Sequence, residues 1–242
     1  MKKLIIGGII MLGVMTGFSS EKNTDTFKTA SGKDVVITAI KHATMLIQYD
    51  GFEIHVDPVG KKMDPATDYS KFKKADIILV THEHFDHYDK DAIDVLKKEG
   101  TQIFLNKAVK KLYGSGTVLT NSETKVISKE IKIEAVPAYN TTKGREKFHP
   151  KGRDNGYILT IDGLRIYIAG DTEPIPEMKN IKDIDIAFLP VNQPYTMTPE
   201  QCANAAKMFS PKVLIPYHFG KTDLSGLQEM IPDQKILFRQ MQ

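Results

Sequence analysis

The chain has 242 residues, of which 41% are apolar and 26% charged. That balance is near the globular average and excludes a disordered or collagen-like chain. A net charge of +3 excludes a dedicated nucleic-acid binder, which needs clustered Lys and Arg against phosphate, and the single cysteine, Cys202, excludes an intramolecular disulfide and a cysteine-rich zinc site.

In chain order, Met1-Lys2-Lys3 is followed by a mostly apolar run over residues 4–18. Ser19-Ser20 then opens the polar stretch Glu21-Lys22-Asn23-Thr24-Asp25. Positive charge, apolar run and small residues come in the order of a secretory signal. Gly17 and Ser19 fit the small-x-small rule, so residues 1–19 are expected to be a cleaved signal peptide and residues 20–242 the mature domain, with an uncleaved anchor as the alternative. The run falls short of the ~20 residues of a membrane span. No stable membrane insertion is therefore expected after cleavage, and the product is expected in the periplasm or outside the cell. Removing Lys2 and Lys3 lowers the net charge of +3 by two, to +1.

Strands are predicted over residues 35–40 and 44–49. Asp50-Gly51 is a hairpin signal, and residues 52–56 alternate. Residues 77–80 form a continuous apolar run, the mark of a strand buried on both faces. A helix is predicted over 91–98 with Ile93 and Leu96 on one face. A short strand at 103–105 and a helix at 107–113 follow, and Gly114-Ser115-Gly116 breaks that helix. Residues 131–138 read as a strand. Strands at 157–161 and 164–168 flank Asp162-Gly163, a second hairpin. Residues 184–189 and 213–215 read as buried strands. Thr198-Pro199-Glu200-Gln201 is a capping box with Pro at the first helical position. Cys202, Ala205, Ala206 and Phe209 follow at i, i+3, i+4 and i+7, so Cys202 reads as a small core residue and not a nucleophile. No linker, low-complexity tract or short-period repeat interrupts this pattern. Early hairpins followed by strand–helix alternation imply an α/β (α+β) domain with sheets inside and helices outside.

One constellation carries chemistry. The buried strand at 77–80 runs into Thr81-His82-Glu83-His84-Phe85-Asp86-His87. Side chains alternate in an extended segment, so His82 and His84 project to one side and make half a zinc site. Asp86 and His87 follow as the chain turns and can serve a second metal. A loop just past a buried strand suits this, because the strand fixes the backbone while the loop supplies exposure.

The His-x-His-x-Asp-His pattern resembles the metallo-β-lactamase-fold superfamily of hydrolases. Gly170-Asp171-Thr172 is similar to the segment carrying the family's metal-bridging aspartate, and Pro216-Tyr217-His218-Phe219 to that carrying its final histidine ligand. His42-Ala43-Thr44 with Asp57-Pro58, and Thr196-Met197-Thr198-Pro199-Glu200, resemble one branch. That branch includes ascorbate-phosphate lactonase-like and N-acylphosphatidylethanolamine phospholipase D-like proteins. The resemblance implies a four-layer αββα sandwich. It implies two divalent cations, Zn²⁺ with Mn²⁺ or Fe²⁺ as alternatives, held by His82, His84, Asp86, His87, Asp171 and His218 together with one further histidine, for which His149 is the candidate in this chain. It also implies a metal-bound hydroxide attacking an ester, lactone or phosphodiester-type small-molecule substrate. Asp86 is expected to orient the water as a catalytic residue. His42 is the second catalytic candidate, either behind the ligands or against substrate, with a purely structural buried histidine as the alternative. His55, between Ile54 and Val56, reads as structural. Tyr139, Tyr195 and Tyr217 are candidate rim residues.

The chain departs from the family at one position. Where a histidine is expected after the strand at 131–138, Tyr139-Asn140 stands instead. Either His149 folds back as the ligand, or Asn140 or a water takes the place, or the site is partly degraded and the protein binds metal without catalysis. His149 is the expected ligand, because an imidazole nitrogen is a better zinc donor than an amide oxygen. Residues 140–156, rich in Gly and Lys, read as a long mobile loop at the rim. An iron-based oxygen or nitric-oxide reductase commonly carries Glu where this chain has His84, and adds a flavin domain for which there is no room. An RNA-processing nuclease fits export and weak net charge poorly.

Overall fold

The computed structural model describes residues 23–241. The expected signal segment, residues 1–19, lies outside the described residues.

The first sheet is built from β1 (Thr24–Lys28), β2 (Asp34–Lys41), β3 (Thr44–Tyr49), β4 (Phe52–Val56), β5 (Ile77–Leu79), β6 (Gln102–Leu105) and β7 (Thr117–Val118), side by side in chain order. The second sheet runs β8 (Thr124–Val126), β9 (Ile131–Ala138), β10 (Asp154–Ile161), β11 (Leu164–Ile168), β12 (Ile186–Pro190), β13 (Val213–Tyr217) and β14 (Lys235–Ile236), again in chain order. In each sheet the first three pairings are antiparallel and the last three parallel. The two halves thus repeat one topology, with a period of about half the described residues.

The sheets face each other across one core. Val35, Ile37, Met45, Ile47, Ile77 and Leu79 of the first meet Ile133, Tyr157, Leu159, Ile166 and Phe188 of the second. Ile78 and Val80 point the other way, into a second cluster with Ile103 and Leu105, under Ile93 and Leu96 of α1 (Lys90–Leu96) and Val109 of α2 (Lys107–Tyr113). The apolar run at 77–80 is therefore buried on both faces, as its composition required. On the opposite side Cys202, Ala205, Ala206 and Phe209 of α3 (Pro199–Phe209) join the main core. The result is the expected α/β architecture, a four-layer αββα sandwich.

Local chemistry sets the helix ends. Asp89 caps α1 through Asp91 N, and Lys97 already has an extended backbone. The helix therefore starts one residue earlier and ends two earlier than predicted. Gly114, at φ 87°, closes α2 in the left-handed conformation that glycine tolerates best. The Thr198–Gln201 capping box forms as read. β10 begins at Asp154, opposite Ala138, three residues before the predicted start.

Candidate metal centre

β5 ends at Leu79, and the chain leaves the sheet carrying the histidines. His87 N and Tyr88 N both donate to the His84 carbonyl, at 3.0 and 2.8 Å. This tight turn swings Asp86 and His87 back beside His82. Gly170 positions Asp171 after β11. A Cβ at Gly170 would lie 2.6 Å from the Asn155 carbonyl oxygen, so only glycine admits this approach. His218 follows β13 and is held through its N–H to the His42 carbonyl at 3.0 Å.

These segments bring the expected residues into two adjoining groups. One is His82, His84 and His149, and the other is His42, Asp86, His87 and His218. Asp171 joins His82 and His87 in a third set. In every set the candidate ligand atoms lie within 4.8 Å of one another. Asp171 Oδ2 is 3.3 Å from His149 Nε2 and 3.2 Å from His218 Nε2, and its Oδ1 is 3.2 Å from His87 Nε2. One carboxylate therefore touches both groups. His149 does fold back to the cluster. Asn140 spends its amide nitrogen on the carbonyls of Tyr195, at 2.7 Å, and Arg145, at 3.3 Å.

The polar atoms are arranged for a cation. Asp171 Oδ1, His87 Nε2 and His218 Nε2 are buried and have no hydrogen-bond partner. Buried polar groups are nearly always satisfied, so such orphans call for an ion or another partner. Neighbouring residues decide which imidazole nitrogen is free. Thr81 donates its hydroxyl to Asp57 Oδ2 at 2.6 Å and so accepts from His82 Nδ1 at 3.0 Å. Asp57 accepts from His87 Nδ1 at 2.7 Å, and Asp154 from His149 Nδ1 at 3.0 Å. Each hydrogen bond fixes a tautomer and turns the Nε2 lone pair inward, the usual support for a metal-bound histidine. His82 Nε2 then approaches His84 Nδ1 at 3.1 Å. The two nitrogens are close enough to ligate one cation together.

Residues 36–218 match the β-lactamase superfamily domain. The chain is 33% identical over 204 residues to a UPF0173 metal-dependent hydrolase of Koribacter versatilis, covering 76% of this chain and 84% of that protein. It is 33% identical to another from Ligilactobacillus salivarius, covering 81% and 93%. The chain belongs to the β-lactamase superfamily and is a metal-dependent hydrolase. A crystal structure of a Parabacteroides distasonis protein assigned as a metal-dependent hydrolase superposes with a TM-score of 0.87 at 56% identity, over 90% of this chain and 99% of that one. A metallo hydrolase of the archaeon Ignicoccus hospitalis superposes with a TM-score of 0.71 at 25% identity, over 86% and 95%.

In this hydrolase, burial lowers the pKa of His82 and His84, so both are neutral rings able to donate a lone pair. Burial also lowers His87, but the Asp171 and Asp57 carboxylates outweigh it and raise that ring, so a cation bound at Nε2 would take the place of a proton there. Burial would raise Asp86, yet His218 and His42 hold it well below the usual carboxylate range. Within the second group, His42 Nε2 donates to Asp86 Oδ2 at 3.1 Å, and its ring centroid is 3.7 Å from that of His218. Burial pushes its pKa to about 4, so it is neutral. His55 is remote from the cluster, packed edge-on against Tyr69 and Phe72.

Sequence reasoning assigned no role to Thr81, Asp57, Asp154 or Glu173. Thr81 and Asp57 carried a signal, a polar residue at the end of a buried strand. Asp154 carried none, because only pairing with β9 brings it under His149. The Tyr139 and Tyr217 rings are buried in the core, whereas Tyr195 is exposed at the rim.

Proposed function

We propose that this hydrolase is exported, holds two divalent cations and cleaves an ester, lactone or phosphodiester bond in a small molecule. The observation that carries the reading is the position of Asp171, one carboxylate within 3.3 Å of histidines from both groups. His82, His84 and His149 would hold one cation, Asp86, His87 and His218 the other, with Asp171 between them. A ligand set this rich in imidazole favours Zn²⁺, with Mn²⁺ or Fe²⁺ as alternatives. When bound, the cations supply Lewis-acid activation of water and of the substrate's carbonyl or phosphoryl oxygen.

The chain's own residues do the rest. Asp86 is ionised and partly open to solvent, with 19% of its side chain exposed, so its carboxylate can accept a hydrogen bond from an attacking water and orient it. The His42 N–H holds that carboxylate from behind. His42 is in turn fixed at φ 48° by its N–H to the Met241 carbonyl and by its own carbonyl to His218 N. His42 is thus a positioning residue for Asp86. Asn140 motivates the reading of a degraded, non-catalytic site, but His149 supplies the nitrogen lone pair that an amide cannot. Export is supported by the order of charge, apolar run and small residues over 1–19.

The test is hydrolysis of p-nitrophenyl acetate, a lactone and bis(p-nitrophenyl) phosphate by protein purified without chelator. Turnover of at least one is expected, lost on chelation and restored by zinc. Turnover that survives complete metal removal would refute the reading.

A further inference from the structure

Of the clustered residues, only His84 and Asp86 are not buried. Solvent therefore reaches the centre past them, and Phe85, which stands between them, is 64% exposed. Phe148 precedes His149 and meets Tyr195 edge to face, with ring centroids 5.1 Å apart. Tyr195 is 46% exposed. Phe85 adjoins His84 and Phe148 adjoins His149, and the two imidazole centroids lie 4.9 Å apart. Single exposed apolar residues are ordinary, but several bordering one opening mark a binding surface. The nearby guanidinium groups are already committed. Arg153 pairs with Glu83 at 3.1 Å and Asp154 at 2.7 Å, and Arg145 with Glu173 at 3.4 Å. The Lys147 ammonium lies over the Phe148 ring, 5.0 Å from its centroid. Neither arginine is free to select an anionic substrate.

Asn140 holds this rim in place. It is 2% exposed, its backbone N–H donates to the His149 carbonyl at 2.8 Å, and its amide nitrogen donates to the Tyr195 and Arg145 carbonyls. Both amide acceptors are carbonyl oxygens, so the orientation of the amide is fixed.

We propose that Phe85, Phe148 and Tyr195 grip an apolar acyl group next to the scissile bond, with Asn140 as the positioning residue that holds Tyr195. The substrate class is then the ester or lactone of a hydrophobic carboxylic acid. This rests on the hydrolytic reading above.

The experiment compares p-nitrophenyl octanoate with p-nitrophenyl acetate on zinc-loaded full-length mature protein. The wild type favours octanoate in kcat/KM by about tenfold or more, the discrimination an apolar pocket supplies for added methylenes. Phe85→Ala and Tyr195→Ala each reduce that preference by about tenfold, through KM for octanoate. Asn140→Asp keeps the side-chain shape but turns an oxygen toward two carbonyls. It lowers the preference in the same way while metal content stays at the wild-type level. Leu112→Ala, at an exposed apolar position on the outer helix α2, keeps the wild-type preference. Saturation-transfer NMR of octanoate on the zinc-loaded protein reads the same grip without turnover. If no ester is cleaved yet octanoate binds the wild type and not the ring variants, the hydrolytic reading falls and the grip stands. A preference that survives both ring deletions, a wild type that favours acetate, or faster cleavage of bis(p-nitrophenyl) phosphate than of either ester overturns the proposal.

Discussion

His55 shows how a residue outside the metal centre shapes the hydrolase. Its ring is fully buried in β4 and neither nitrogen has a hydrogen-bond partner. Burial lowers its pKa from 6.5 to about 4. Between those two pH values the unfolded chain binds a proton that the folded chain refuses, so stability falls as pH drops through this window. Urea unfolding at pH 7 and pH 5 should show a loss of stability that is about 2 kcal/mol larger in the wild type than in His55→Leu. An equal pH dependence in both proteins would remove His55 as the cause. At this scale the ligand residues were legible, because His82, His84, Asp86 and His87 sit together in a short segment. Their orienting partners were not. Asp57 and Asp154 reach His87 and His149 through strand pairing, which local sequence does not encode.

The segment between β9 and β10 shows the same limit among elements. Its Gly and Lys content suggested a long mobile loop, but residues 140–153 are tied down along their length. Glu173, fully buried after β11, accepts from Thr141 N at 2.8 Å, Thr142 N at 2.6 Å and Thr141 Oγ1 at 3.1 Å. Phe148 N donates to the Arg145 carbonyl, and Asn140 N to that of His149. Glu173→Ala leaves two backbone N–H groups without their acceptor and should cost about 2 kcal/mol. It should also speed proteolysis between residues 140 and 153. Glu173→Gln keeps one acceptor oxygen and should lose less. Equal protease resistance in all three proteins would show that Glu173 does not fasten the segment. Long periodic elements such as β9 and α3 were legible from pattern and caps. The strands β1, β7, β8 and β14 were not, because short, half-exposed strands bury too little to leave an apolar alternation.

For the whole molecule, the centre draws on both halves of the repeated topology. The first sheet contributes the residues after β2 and β5, and the second those after β9, β11 and β13. The first and last described residues meet, as Arg239 pairs with Asp25, Gln240 N donates to Asn23 Oδ1 at 3.0 Å, and the Met241 carbonyl accepts from His42 N at 3.0 Å. The αββα layering was legible through the family resemblance and the doubly buried run at 77–80. The contact between the first and last described residues was not, because it joins residues 217 positions apart in sequence. Among the described residues no helix is long and apolar enough to cross a membrane. On the proposed function, His149 completes one of two metal sites that Asp171 links. The direct measurement is metal content and affinity, by elemental analysis and competitive chelation, of the wild type, His149→Ala and Asn140→Ala after zinc resupply. The expected result is about two metals per chain in the wild type and in Asn140→Ala, with affinity at one site weakened ~10-fold or more in His149→Ala. Both metals retained at full affinity in His149→Ala, with a loss in Asn140→Ala, would contradict it.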